Sequence, residues 1–281
     1  LVDDMSVYET PDGFMKKPDL YLDFDLLNPL YAMNKNLNYD RSNRFISNIA
    51  FTVTPIANTF LRTQVGWDVG TQTFQNSWHP YYAARNAGLG RYDVVHANFS
   101  DPTINILAGY NNKFLKDRLS FGAQVGYHQL ENGVTRQSVN GSKFLIPDFQ
   151  SINNTDPVTQ TSNQRNTKRR IQALSGQFEL GFDNMAFIAL RARNDWSSTL
   201  PVANNSYFYP AVEGSFIVSD LDFVKAFSAL SYFKLRGSIA QVGKDAGPLE
   251  IDPQLEVMTS TGGGFRYGFT GPNPNLRPEM T

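Results

Sequence analysis

Between Met185 and Gly243, apolar and polar residues take turns along three successive segments. One side carries Ala186, Ile188, Leu190 and Ala192, then Val212, Phe216 and Val218, then Phe233, Leu235 and Ile239. The other carries Arg191, Arg193 and Asp195, then Glu213, Ser215 and Ser219, then Lys234, Arg236 and Ser238. A period of two predicts strands, because successive side chains leave a pleated chain on opposite sides. The charged side must meet water. The apolar side must meet a dry phase, which is either a second sheet or lipid.

The same period recurs upstream. Phe45, Ile49, Phe51 and Val53 share a face, a turn follows at 54–58, and Leu61, Val65, Trp67 and Val69 make the return, with Arg62, Gln64 and Asp68 opposite. This predicts a hairpin. Ile104, Ile106, Ala108 and Tyr110, then Leu119, Phe121, Ala123, Val125 and Tyr127, predict a second, turning over 111–117. Leu174, Phe178, Leu180 and Phe182 lead through a tight Asp183-Asn184 turn into the strand from Met185, and 206–219 with 230–243 make the fourth hairpin. Residues 42–243 therefore read as four hairpins. Short turns at 54–58, 111–117, 183–184 and 220–230 alternate with long connections at 70–101, 130–168 and 244–275, and a shorter one at 197–205. All short turns then lie at one end of the sheet. Loops above about fifteen residues are uncommon in compact soluble domains, and this layout is that of a membrane β-barrel. A soluble sandwich would show turns every 8–12 residues or so.

Composition narrows the choice. The 281 residues carry a formal net charge of −1 and no cysteine, with 21 Phe and 13 Tyr. Near-zero charge gives no electrostatic case for nucleic acid. Without cysteine, a disulfide-stapled scaffold, thiol catalysis and cysteine zinc sites are excluded. Mean hydropathy is −0.35, which calls the chain soluble, yet hydropathy is nearly blind to barrels whose wet-facing residues cancel their lipid-facing ones. No apolar run is long enough for a membrane helix. Trp67, Tyr127, Trp196 and the Tyr207-Phe208-Tyr209 triplet stand where strands meet the long connections, the depth aromatics favour at a membrane interface. The chain opens at Leu1 rather than Met and closes at Thr281 in what reads as a new strand, so it is expected to be a piece of something longer.

No catalytic set emerges. His79, His96 and His128 lack metal-ligand spacing. Asp19, Asp23 and Asp25 lack the calcium-loop spacing with its central Gly and closing Glu. Asp195 with Ser197 and Ser198 has no base and no nucleophile elbow, and Gly262-Gly263-Gly264 lacks the Lys-Ser/Thr of a phosphate loop. Neither metal nor cofactor is expected. Lys168-Arg169-Arg170, alone a candidate nucleic-acid patch, would on a barrel face phosphorylated headgroups or solvent. The loop aromatics Trp78, Tyr81, Tyr82 and Tyr92 are the candidate ligand contacts, since flat rings stack on sugars or pack on peptide side chains. Arg62, Arg191, Arg193, Glu213, Lys234 and Arg236 would face a wet interior, lining a polar path or holding a plug through breakable ion pairs.

Four stretches resemble SusC/RagA-type TonB-dependent outer-membrane transporters. They are Asn194–Pro201 with Ser206–Pro210, Leu235–Ser238 through Gln241–Gly243, Asn273–Glu279, and Asn28–Tyr31 followed by Asn43–Phe45. The matches run in family order across nearly the whole chain. The resemblance implies an all-β, antiparallel transmembrane barrel segment, part of a twenty-two-stranded barrel. Residues 1–41 and 244–275 would be extracellular loops and 276–281 the start of a further strand, with the plug lying outside 1–281. It further implies import of nutrient oligomers, oligosaccharides or peptides, without covalent chemistry, in the bacterial outer membrane. A SusD-like lipoprotein lid, the TonB complex acting through the plug, and membrane lipid would be the partners. The competing expectation is a soluble or surface-exposed β-sheet domain that binds carbohydrate or protein without transport. An enzyme lodged in an eight-stranded barrel is a third reading. Coordinates in which the Phe, Ile and Leu faces are covered by another layer of the same chain would favour the soluble domain.

Overall fold

The computed structural model describes residues 11, 29–80, 89–225, 230–257, 263–269 and 271–281. Eight strands form one sheet in which each pairs with the next in sequence. They are β1 (Leu37–Val53), β2 (Thr59–Trp78), β3 (Arg91–Phe114), β4 (Leu119–Ser142), β5 (Thr161–Phe182), β6 (Ala186–Ser197), β7 (Ser206–Ile217) and β8 (Lys234–Ala240). A short helix, α1 (Pro29–Lys35), precedes the sheet. The two-residue strand β9 (Gly243–Lys244) follows it. Contacts divide the chain into two compact units, one of 1–45, 69–99 and 134–166, the other of 46–68, 100–133 and 167–281.

The expected hairpins are present, but the strands are longer than the hydrophobic pattern suggested. The long connections placed at 70–101 and 130–168 are in large part strand: β2 runs on to Trp78, β3 starts at Arg91, β4 ends at Ser142 and β5 starts at Thr161. In the extra lengths polar residues fall on both sides and apolar ones such as Phe74, Val94 and Val95 do not alternate with them, so no period of two betrays these strands. Ladder bonds and polar cross-strand pairs hold them instead: Gln72 donates to Asp40 at 3.2 Å, Thr73 meets His96 at 3.1 Å, and Gln137 donates to Gln164 at 3.2 Å. Likewise β1 begins at Leu37, inside the expected 1–41 loop. The fourth hairpin is shorter than expected. β7 stops at Ile217, and Val218 instead opens a 3-10 turn whose amide donates to the Phe233 carbonyl.

The connection after 244 also holds structure. β10 (Leu255–Val257) pairs with β11 (Phe265–Tyr267), and β12 (Glu279–Met280) pairs with β9. The turn at Asp183-Asn184 has positive φ at both residues (49° and 56°), closed by the Met185 amide on the Phe182 carbonyl at 2.9 Å. Such a turn matches the twist of the strands it joins. Arg118 grips its outer side, with Nε 2.6 Å and a terminal nitrogen 2.7 Å from the Asp183 carboxylate oxygens. That guanidinium holds the Asp183 carboxyl below the usual carboxylate range.

The register across β5–β8 sorts the faces as the alternation predicts. Phe182, Ala186, Phe216 and Leu235 stand in one row; Leu180, Ile188, Gly214 and Gly237 in the next; Phe178, Leu190, Val212 and Ile239 in a third. Gly176, Ala192 and Pro210 follow, then Leu174, Asn194 and Phe208. No second layer covers these rows among the described residues: Leu190 is 44% exposed, Leu235 54% and Ile239 75%. A sandwich core would have buried them. The intervening positions carry the charges.

One correction concerns aromatics. Tyr207 and Tyr209 pair with Asp195 and Arg193 on the charged face, so of the triplet only Phe208 joins Trp196 on the apolar side. The period of two requires this split within any three consecutive strand residues.

Candidate functional site

On the charged face of the second unit, side chains form two clusters. Nearer the short turns, Arg191 reaches Glu213 at 2.5 Å and Glu179 at 3.5 Å across three strands. Lys234 lies over the Phe187 ring, 5.7 Å from its centroid. Glu179, Arg191, Glu213 and Lys234 open on a cavity of about 750 Å³. Arg236 stands on the same face, opposite Ser215. These charges are half-exposed, so their pairs hold weakly and are screened by salt.

Nearer the long connections, the network is drier. Arg193 donates through Nε to Asp195 at 2.6 Å, and the Tyr209 hydroxyl donates to the other Asp195 oxygen at 3.0 Å. Tyr207 stacks on Tyr209 with ring centroids 6.1 Å apart. Asp245, with a side chain only 4% exposed, accepts two bonds from Arg169 at 2.8 and 2.5 Å. It also accepts from Ser197 at 2.5 Å and Thr199 at 2.9 Å. Burial alone would push the Asp245 carboxyl up, but these donors outweigh it and hold it below the usual carboxylate range. His128 is fixed between Asn105 and Ser175, both at 2.9 Å.

Arg191, Arg193, Glu213, Lys234 and Arg236 thus share one face of β6–β8, and Arg62 of β2 sits beside Gln64 at 3.4 Å. Hydrophobic alternation does not mark Asp245 or Arg169 as members of this face. They are 76 residues apart, and no local pattern joins them. The Lys168-Arg169-Arg170 run is split by the pleat. Arg169 takes Asp245, whereas Lys168 and Arg170 turn the other way to Glu131, at 2.9 and 2.5 Å.

Of the loop aromatics, Tyr81 and Tyr82 lie outside the described residues. Trp78 and Tyr92 belong to the first unit. The Arg91 guanidinium covers the Trp78 ring at 5.5 Å, and Tyr92 is 8% exposed, so its ring is packed rather than offered. Beside them, Asp148 bridges Lys35 at 3.4 Å and His79 at 3.3 Å. Among the described residues no cluster has the donors to hold a metal.

No protein-family profile matches the chain. A TonB-dependent receptor of Formosa agariphila is 23% identical over 275 residues, covering 90% of this chain and 26% of the receptor. A structure of the RagAB peptide transporter superposes with a TM-score of 0.76 at 20% identity, over 89% of this chain and 28% of that one. Structures of the RagAB peptide importer in its closed-closed and open-open states give 0.73 and 0.72. The chain therefore spans about a quarter of the length of these relatives. The likeness to SusC/RagA-type TonB-dependent transporters, first carried by the motifs, extends over about nine-tenths of the chain, and the fold is that of a stretch of such a barrel wall.

Proposed function

We propose that this chain is part of the barrel wall of a TonB-dependent transporter of the bacterial outer membrane. The intact protein imports nutrient oligomers, peptides or oligosaccharides, in company with a SusD-like surface lipoprotein, and performs no covalent chemistry. The uncovered apolar rows carry this reading. On β5 they run from Leu174 to Phe182, nine residues. At about 3.4 Å per residue and a tilt of about 45°, that is roughly 22 Å, close to the apolar band of about 25 Å that such barrels present to lipid.

The edge of the band supports the same depth. There, outward polar groups are tied across strands: Gln172 donates to the Tyr127 hydroxyl at 2.9 Å, Trp67 to Ser100 at 2.9 Å, and Asn194 to Ser206 at 2.9 Å. Polar groups facing lipid must be satisfied within the protein. Strands of 20 to 24 residues in β2–β5 are about twice what a bilayer needs, and the excess is polar.

The inward charges, centred on Arg191 between two glutamates, suit a plug that must be held and released, because half-exposed ion pairs break at little cost. Trp78 remains the proposed ligand contact among the described loop aromatics. The test is single-cysteine labelling of the intact protein in vesicles. Leu190→Cys should be reached by a lipid-soluble reagent and shielded from a charged one, and the neighbouring Arg191→Cys should show the reverse. Equal labelling of both by the charged reagent would instead fit a water-soluble sheet.

A further inference from the structure

We propose that Lys168 and Arg170 form a binding site for the phosphate-bearing headgroup of a membrane lipid. The proposal rests on the barrel reading above and adds a ligand to its outer surface.

Three observations point there. The first is direction. Tyr127, Gln172 and Trp196 belong to the apolar side, as the β5–β6 register and the Gln172–Tyr127 bond show. Two residues further along β5 and four along β4, the same side presents Arg170 and Glu131, with Lys168 beyond. The second is depth. The cluster begins one position-pair, about 7 Å of strand, past the Gln172–Tyr127 girdle. Three charges would be costly among acyl chains but are at home among headgroups.

The third is preorganisation. Glu131 is 13% exposed and gives one oxygen to each cation, Oε2 to Lys168 at 2.9 Å and Oε1 to Arg170 at 2.5 Å. Opposite oxygens of one carboxylate thus hold two like charges side by side. Both cations stay open, at 66% and 47% exposure. Such an exposed triad contributes little to stability, and its net charge of +1 meets no further carboxylate among the described residues. A phosphate oxygen can take the remaining N–H donors of both side chains. Arg170 is also steadied from behind, its amide bonded to the Ser198 hydroxyl at 2.8 Å.

The experiment uses the intact protein, purified in detergent and titrated with phosphatidic acid or with diacylglycerol of the same chains, retention being read by native mass spectrometry. Preferential retention of phosphatidic acid is expected. It should fall on the order of thirtyfold in Lys168→Gln/Arg170→Gln, the effect of two surface cations on an anionic lipid. Lys168→Arg should retain it, and Arg266→Gln, which removes an exposed cation elsewhere, should change nothing. Equal retention of both lipids, or an unaffected double variant, overturns the proposal. So does displacement by millimolar inorganic phosphate, which would make this a site for the free ion. Failure of the protein to enter vesicles defeats the barrel reading itself and is scored separately by the cysteine labelling.

Discussion

Removing the Asp245 carboxylate should loosen one connection without unfolding the sheet. In Asp245→Ala, Arg169 loses both its bonds, and Ser197 and Thr199, at 2% and 3% exposure, lose an acceptor they cannot replace with water. Bonds to a charged group contribute about 1.5–3 kcal/mol each, but the sum overstates the cost. Arg169 is 30% exposed and can be rehydrated, and the two hydroxyls still bond each other at 2.9 Å. The net expectation is about 3 kcal/mol, felt where 241–257 leaves the sheet. Local opening of that size speeds amide exchange on the order of a hundredfold. Hydrogen–deuterium exchange with mass spectrometry on the intact protein reads it, in peptides covering 196–205 and 241–257. Glu256→Ala is the control: it removes a pair with Arg266 whose members are 49% and 64% exposed, and it should speed exchange less than about fivefold. If the two variants behave alike, the reasoning that burial makes the Asp245 cluster a tether is wrong.

The same carboxyl fixes a pH dependence. Its folded value lies below its unfolded one, so its contribution is full above the unfolded value of about 3.9 and drains away as pH falls through the folded value. Exchange of 241–257, corrected for intrinsic rates, should stay flat from pH 7 to about 4.5 and rise below that. Leu190→Arg, in the third apolar row, should destabilise the protein in vesicles by about 2–4 kcal/mol, whereas Gln164→Arg, past the girdle, should cost under about 1. Denaturant titration in vesicles measures both. Gly109→Val should cost about 1–3 kcal/mol because the Phe60 ring occupies the space its Cβ needs, and Phe60→Ala in the same background should recover part of the loss.

How far the amino-acid order announces this fold depends on whether the two faces of a strand differ in character. Along Ala186–Trp196 they do, and alternation reads out face, register and turn. Along 70–78 and 130–142 polar residues fall on both faces, periodicity carries no signal, and strands pass for loops. Short hairpins such as β10–β11 hide for a different reason: three residues per strand are too few to show a period. The charged face was legible as a list, since Arg191, Arg193 and Glu213 alternate with apolar neighbours. Its partnerships were not, since Asp245 reaches Arg169 through the fold alone. The Tyr207-Phe208-Tyr209 run looks like one aromatic patch in the sequence, but the pleat sends Phe208 to the face opposite its neighbours.

The divided run at 168–170 shows what this construction asks of any descendant sequence. Inserting or deleting one residue inside β5 would move Arg169 to the apolar face and Arg170 to the charged one, and would invert every position beyond it. Length changes within these strands are therefore tolerated in pairs or absorbed by a bulge, while the connections are free to grow by any amount. Diversification of such a protein is channelled to its rims, where new recognition can arise without disturbing the wall that carries it.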